Sequence, residues 1–86
     1  MTDATDFWPD AIQGAISLTF DDNALSQLDN ALPCLDDHGL QGTFYVNPGR
    51  SLIWEENLSR WQQASRNGHE IGNHTADHPC SCNFGF

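Results

Sequence analysis

The first hydrophobic pattern in the chain predicts a β-strand. In the segment GAISLTF, at residues 14–20, apolar residues alternate with small or polar ones. Ile16, Leu18 and Phe20 would therefore share one face of the strand. The opposite face continues to Asp21, so that the strand would end on an acidic residue.

The next pattern predicts a helix that ends at Gly39. Leucine residues recur at spacings of three and four, which is the apolar stripe of an amphipathic helix. They are Leu25, Leu28, Leu32 and Leu35. Pro33 would kink or restart the helix, because proline lacks a backbone N–H and its ring collides with the preceding turn. Cys34 is expected on the core-facing side of this helix.

Two further strands and one further helix are predicted. GTFYV, at residues 42–46, is rich in aromatic and β-branched residues and is followed by the turn sequence NPG. A helix is predicted over residues 55–67, with acidic residues at its N-terminus and Gly68 after its end. Its apolar stripe consists of Trp54, Leu58, Trp61 and Ala64. The stripe favours core packing of both tryptophans over stacking on a sugar. A short third strand at residues 69–73 would end next to His74.

The alternation of strands and helices predicts the α/β class, with parallel strands joined by right-handed crossovers. At 86 residues, the chain has room for one domain. We divide it into a leader segment at residues 1–12 and an incomplete domain at residues 13–86. In parallel sheets, ligands bind at the C-terminal ends of the strands, where the loops converge. Asp21 and His74 would both lie at that edge.

Composition excludes some partners. Twelve acidic residues against three basic ones give a net charge of −9, which disfavours binding to nucleic acid or to an anionic membrane surface. The chain has neither a signal-peptide pattern nor an apolar run long enough to span a membrane, so that a cytoplasmic location is expected. Its three cysteines are expected to be free thiols in a reducing compartment. The oligomeric state stays open.

Two short motifs carry candidate chemistry. Asp21 and Asp22 follow an apolar strand, where adjacent carboxylates repel each other unless a cation or a proton is near. The motif HTADH places His74 and His78 four residues apart. On a helix, this spacing would leave their Cβ atoms roughly 5 to 6 Å apart, close enough for both imidazoles to bind one ion. One carboxylate could join them as a ligand, while Asp21, on the polar face of its strand, would stay free as a base.

This ligand set fits more than one class of metal site. Two imidazoles and one carboxylate leave open positions on a divalent ion, as hydrolases require, but non-haem iron oxygenases use the same set. The spare Asp21 favours hydrolysis, because it supplies a general base. The alternative is a noncatalytic fragment or a small structural zinc module. Its ligands would be His74, His78, Cys80 and Cys82. That alternative leaves the paired aspartates unexplained.

Three segments agree in order and spacing with one known family. They are SLTFDDN at residues 17–23, GTFYVNPG at residues 42–49 and GHEIGNHTADHP at residues 68–79. Together they resemble the polysaccharide deacetylase family, carbohydrate esterases with a NodB-homology domain. The resemblance covers residues 8–79 and implies the N-terminal part of a distorted (β/α) barrel. The family's later motifs, including its general acid, would lie beyond Phe86. His38 and His69 are expected to be structural or solvated, not substitutes for that acid.

The resemblance also implies roles for individual residues. Asp21 is implied to be the catalytic base, and Thr75 is implied to support the neighbouring loop by hydrogen bonding. The implied metal ligands are Asp22, His74 and His78. The implied cofactor is a divalent ion, zinc before cobalt or another divalent ion. The implied activity is hydrolytic removal of acetyl groups from N- or O-acetylated carbohydrate, or from a small amide.

Overall fold

The computed structural model describes residues 11–49, 52–76 and 78, so that most of the predicted leader lies outside the described residues. Within these ranges the chain forms three strands and three α-helices. They are β1 (Thr19–Asp21), α1 (Leu32–Asp37), β2 (Thr43–Val46), α2 (Leu52–Glu56), α3 (Leu58–Arg66) and β3 (Glu70–Asn73). A π-helical segment, Gln27–Ala31, precedes α1. None of the helices described here has the length and apolar character needed to cross a membrane.

The three strands form one parallel sheet in the order β1-β2-β3. Its register places Phe20 opposite Phe44, and Phe44 opposite Ile71. Helical structure separates each strand from the next along the chain. The predicted α/β class with parallel strands is therefore confirmed.

Strand β1 is shorter than its hydrophobic pattern predicts. It begins at Thr19, and Ile16 is 88% exposed instead of buried. The cause lies in the neighbouring strand, whose first ladder bond joins the Thr43 N–H to the Leu18 carbonyl at 2.9 Å. The preceding N–H, on Gly42, donates to a side chain instead. The residues before Leu18 therefore have no β2 group to pair with, and alternation alone does not make them a strand.

The predicted first helix is present, with a widened turn before Pro33. The backbone is α-helical at Leu25, π-helical over the segment before α1, and α-helical again from Leu32. Pro33 lies in the first turn of α1, where its missing N–H is tolerated. Of the two predicted outcomes, a kink or a restart of the helix, the structure shows the restart.

Helix α1 ends in a Schellman motif at Gly39. This residue has a φ of +66°, and its N–H donates to the Asp36 carbonyl at 3.2 Å. The Leu40 N–H donates to the Leu35 carbonyl at 2.8 Å, which completes the motif and confirms the predicted helix end. The expectation for Cys34 is wrong, because this thiol is exposed. The buried face of the helical region is formed by Leu28, Leu32 and Leu35.

The prediction of one continuous second helix is wrong. Helical structure starts earlier, in α2, and breaks at Asn57, whose φ of −109° and ψ of 8° lie outside the helical region. The Asn57 side-chain amide donates to the Ile53 carbonyl at 2.8 Å, so that the side chain competes with the backbone for that acceptor. Trp61 and Ala64 are buried as predicted, whereas Leu58 is 40% exposed.

The helices pack on one face of the sheet. Phe44 is fully buried at the centre, with its ring stacked on Phe20 at a centroid distance of 4.7 Å and tilted against Trp61 at 5.5 Å. Trp54 stacks on Trp61 at 6.4 Å and packs against the core. Core packing of the two tryptophans is therefore confirmed.

The opposite face of the sheet is exposed. The register pairs Asp21 with Tyr45 and Tyr45 with Gly72, so that these three residues share this open face. A Cβ atom at Gly72 would lie 2.7 Å from Cδ1 of Tyr45. Only glycine therefore lets the tyrosine ring lie over β3. The result is an exposed aromatic ring beside the end of β1.

Candidate metal centre and active site

Three of the predicted site residues meet at the C-terminal edge of the sheet. Asp22 directly follows β1, and His74 directly follows β3 with its N–H bonded to the Val46 carbonyl at 2.9 Å. Asp22 Oδ1 lies 3.2 Å from Nε2 of His74 and 2.8 Å from Nε2 of His78. Two motifs that are distant in sequence thus converge because parallel strands end at the same edge.

His78 reaches the cluster through a turn, so the helical spacing considered for HTADH is not what brings the two histidines together. Thr75 and His78 have φ values of +65° and +54°, which a right-handed helix does not contain. The His78 N–H donates to Thr75 Oγ1 at 3.0 Å, and this side-chain bond replaces a helical one. The Thr75 N–H donates to Asn73 Oδ1 at 2.7 Å. The Thr75 hydroxyl therefore closes the turn that carries His78.

Strained backbone conformations concentrate at this edge. Asp22 has a φ of +77° and Asn23 a φ of +40°, in addition to the two values in the turn. Among the described residues, the other non-glycine residue with positive φ is Ala11. Asp, Asn and His adopt this positive-φ region more readily than other residues, whereas for the β-branched Thr75 it costs on the order of 1–3 kcal/mol and persists because the surrounding structure holds it, typically at functional sites. At Asp22 the positive φ takes the backbone out of the β conformation as the strand ends.

The donor atoms of the cluster fit a divalent ion. The carboxylate oxygen and the two ring nitrogens all lie within 4.8 Å of one another. Two atoms bound at ~2.1 Å to a tetrahedral ion lie about 3.4 Å apart, so that the contacts of Asp22 would widen by less than about 1 Å. The side chains of Asp22, His74 and His78 are 58%, 32% and 47% exposed, which leaves the site accessible from solvent.

Asp21 lies beside this cluster and is not part of it. Its carboxylate is exposed on the open face of the sheet, on the side opposite to Phe20. Its carbonyl accepts a hydrogen bond from Nε2 of the buried Gln27 at 2.6 Å. The π-helical segment therefore fixes the end of β1, immediately before Asp22.

Three side chains that build this edge are not among the site residues that the sequence predicts. Asn47, the first residue after β2, donates its backbone N–H to Asn23 Oδ1 at 2.7 Å, and its amide Nδ2 lies 3.2 Å from Nδ1 of His78. The position of Asn47 at a strand end is a usable signal, but the sequence NPG by itself indicates only a turn. No local pattern indicates that the side chain of Gln27 bonds to a strand carbonyl.

A family model described as polysaccharide deacetylase matches residues 9–83, a range that includes all three strands and the candidate site. The chain belongs to the polysaccharide deacetylase family. Its parallel strands, alternating with helices, correspond to the N-terminal part of the family's (β/α) barrel, which confirms the predicted architecture.

Two curated proteins are similar to this polysaccharide deacetylase chain. A gellan lyase from Bacillus sp is 37% identical over 71 residues, which are 83% of this chain and 3% of that protein. A probable peptidoglycan-N-acetylglucosamine deacetylase from Arthroderma benhamiae is 30% identical over 67 residues, which are 78% of this chain and 15% of that protein. The chain thus spans a small part of each relative. The family model and the second relative together support a deacetylase-like hydrolase fragment.

The remaining candidates lie elsewhere. Cys80 and Cys82, which the structural zinc alternative requires, lie outside the described residues. His38 is exposed after α1, with Nδ1 2.8 Å from the carbonyl of Cys34. His69 is buried before β3, at the edge of the sheet opposite to Asp22, His74 and His78. His38 is thus solvated and His69 structural, as predicted.

Proposed function

We propose that this chain forms the metal-binding part of a hydrolase that removes acetyl groups from N- or O-acetylated carbohydrate. The observation that carries the proposal is the convergence of Asp22, His74 and His78 at the C-terminal edge of the sheet. Membership of the polysaccharide deacetylase family supports the class of reaction. This edge is also where parallel α/β sheets ordinarily bind their ligands.

Asp22, His74 and His78 would hold the ion. Two imidazole nitrogens and one carboxylate oxygen favour zinc, and cobalt or another divalent ion fits the same donors. When bound, the ion would supply Lewis-acid polarisation of an acetyl carbonyl and would lower the pKa of water at its open positions. The turn closed by Thr75 and the ladder bond of the His74 N–H hold the two histidines at the site before the ion arrives.

Asp21 would act as the general base. Its carboxylate is exposed, lies next in sequence to Asp22, and is outside the set of three converging donor atoms. In its ionised form it accepts a proton from the attacking water. The hydrogen bond from Gln27 to the Asp21 carbonyl fixes the backbone from which this carboxylate projects. Proton transfer and metal binding are thereby assigned to consecutive residues.

The open face of the sheet would receive the sugar. Tyr45, which is 36% exposed, neighbours Asp21 in the register and presents an aromatic ring with a polar hydroxyl. Such a side chain can pack against the apolar face of a sugar ring and hydrogen-bond to its hydroxyl groups. The relative from Arthroderma benhamiae is named for peptidoglycan N-acetylglucosamine, which supports an N-acetylated sugar as the substrate class.

Metal content is the first test. Elemental mass spectrometry of the full chain, purified without chelators, should find close to one zinc or other divalent ion per chain. The ion should be lost in Asp22→Ala and kept in a Cys80→Ser, Cys82→Ser double variant. The reverse result would assign the ion to a structural zinc module and would contradict the proposal.

Acetate release is the second test. The zinc-loaded chain is incubated separately with an N-acetylated chitooligosaccharide, an O-acetylated xylooligosaccharide and acetamide. Zinc-dependent release from either sugar supports the carbohydrate proposal. Release from acetamide without release from either sugar, or equal release by the zinc-free chain, contradicts it.

A further inference from the structure

Asn47, the first residue after β2, contacts the proposed metal ligand His78, although β2 itself supplies no ligand. Its amide Nδ2 lies 3.2 Å from Nδ1 of His78 and 3.5 Å from Nε2 of the same ring. Nε2 of His78 also faces Asp22 Oδ1 at 2.8 Å. The ring is thus held between a carboxylate from the end of β1 and an amide from the end of β2.

The chemistry of metal binding fixes which group Asn47 must offer. A neutral histidine that ligates through Nε2 carries its proton on Nδ1, and this N–H needs an oxygen acceptor. The oxygen and nitrogen of an asparagine amide exchange places when the amide turns by 180°. The nearly equal distances from Nδ2 to the two ring nitrogens place the amide over the face of the ring, so that the ring must also tilt before Oδ1 of Asn47 can accept a hydrogen bond from Nδ1 of His78 in the metal-bound state.

The backbone of Asn47 is itself anchored to the loop that carries Asp22. Its N–H donates to Asn23 Oδ1 at 2.7 Å, and Asn23 follows Asp22 directly. One series of contacts thus joins the ends of all three strands, from Asn23 through Asn47 to His78.

His78 depends on such support more than His74 does. The His74 N–H takes part in the sheet ladder through the Val46 carbonyl. His78 lies four residues later, its side chain is 47% exposed, and its N–H bonds within its own turn. An external group is therefore needed to hold its ring in one orientation.

We propose that Asn47 is a positioning residue that sets the tautomer and orientation of His78 for metal binding. The proposal rests on the proposed function, because it requires an ion at Asp22, His74 and His78. Hydrogen-bond partners of ligating histidines typically change metal affinity by about 10- to 100-fold when they are removed. Because Asn47 acts on the metal ligand His78, its removal should change zinc affinity whether or not the chain catalyses a reaction.

Zinc affinity of the full chain, measured by competition with a chelator of known affinity, tests the proposal. Asn47→Leu should weaken zinc binding by about 10- to 100-fold. Asn47→Asp, which keeps an oxygen acceptor, should bind zinc within a few-fold of the native chain. Asn30→Leu, an exposed asparagine of the π-helical segment, is the matched control and should leave affinity unchanged. Circular dichroism establishes that each variant is folded.

The outcomes separate this inference from the proposed function. If the native chain does not bind zinc, the metal centre and the role of Asn47 both fall. If the native chain binds zinc and Asn47→Leu binds it equally well, only the role of Asn47 falls. If Asn47→Leu does not fold, ¹⁵N NMR of the native zinc-loaded chain decides. A protonated Nδ1 on His78 supports the proposal, and a zinc-bound Nδ1 overturns it.

Discussion

The two ends of strand β3 each carry a histidine, and the two have opposite surroundings. His69, before the strand, is 3% exposed; the Gly42 N–H donates to its Nδ1 at 3.0 Å, and its Nε2–H donates to Asp36 Oδ1 at 2.7 Å. Its ring packs edge-on to Phe44. His74, after the strand, is partly exposed and has its Nε2 directed at a carboxylate that a second histidine also contacts.

This difference separates a structural histidine from one available for chemistry. Both ring nitrogens of His69 have hydrogen-bond partners, the Gly42 N–H and the Asp36 carboxylate. The ring therefore joins α1 to the start of β2, and neither nitrogen is available to a ligand. At the other end, Nε2 of His74 lies in a solvent-accessible cluster of three donor atoms. Substitutions at the first end should therefore change stability, and substitutions at the second end should change metal binding and catalysis.

The largest expected effect is on catalysis at the C-terminal edge. Asp21→Asn removes the proposed base and should lower the rate of acetate release by about 100- to 10,000-fold. Zinc affinity should stay within about two-fold, because Asp21 is outside the set of converging donors. Steady-state kinetics and chelator competition measure the two quantities. Asp37→Asn, an exposed aspartate of α1, is the control. Parallel loss of zinc from Asp21→Asn would make Asp21 a ligand instead of a base.

The next effect is on zinc affinity. His74→Ala removes a proposed ligand and should weaken zinc binding by more than about 100-fold. This loss is larger than the one expected when only the hydrogen-bond partner of a ligand is removed. In the presence of EDTA, its free energy of unfolding should stay within about 0.5 kcal/mol of the native value, because the side chain is partly exposed. Chelator competition and urea unfolding measure the two. His38→Ala, which removes an exposed histidine, should change neither; an equal loss of zinc there would contradict a specific site.

The third effect is on stability at the opposite edge. His69→Ala leaves the Gly42 N–H without its acceptor in a buried place and should lower the free energy of unfolding by about 2–3 kcal/mol. Urea unfolding with EDTA present measures it, again against His38→Ala. His69→Gln, which offers both a donor and an acceptor, should recover part of the loss. If His69→Ala were as stable as the native chain, the contrast between the two ends of β3 would fail.

The fold was predictable where the local pattern and the tertiary partner agree. GTFYV became β2, and Gly39 and Gly68 follow helices with positive φ, because these preferences are local. The alternation before Thr19 failed as a strand, because strand formation also needs a partner with free backbone groups. The break at Asn57 depends on a side-chain bond to the backbone that helix periodicity does not reveal.

For the candidate site, the sequence predicted which residues meet but not how they meet. Asp22, His74 and His78 converge because parallel strands share an edge, and that follows from topology. His78 is carried by a turn instead of a helix, because the Thr75 hydroxyl accepts the N–H that a helix would use. The contact between Asn47 and His78 joins two separate loops, so that no spacing in the sequence encodes it.

The smallest expected effect lies between the two ends, at Gly72. A Cβ there would lie 2.7 Å from Tyr45 Cδ1, so Gly72→Ala forces the exposed ring to move, at a cost of about 0.5–1.5 kcal/mol. Alanine offsets about 0.5–1 kcal/mol of this cost, because glycine is unfavourable within a strand. The net loss in urea unfolding should therefore be less than about 1 kcal/mol. In a Tyr45→Ala background the collision is absent, and the same substitution should become stabilising. A loss of equal size in both backgrounds would mean that Gly72 is required by the backbone of β3 and not by the ring of Tyr45.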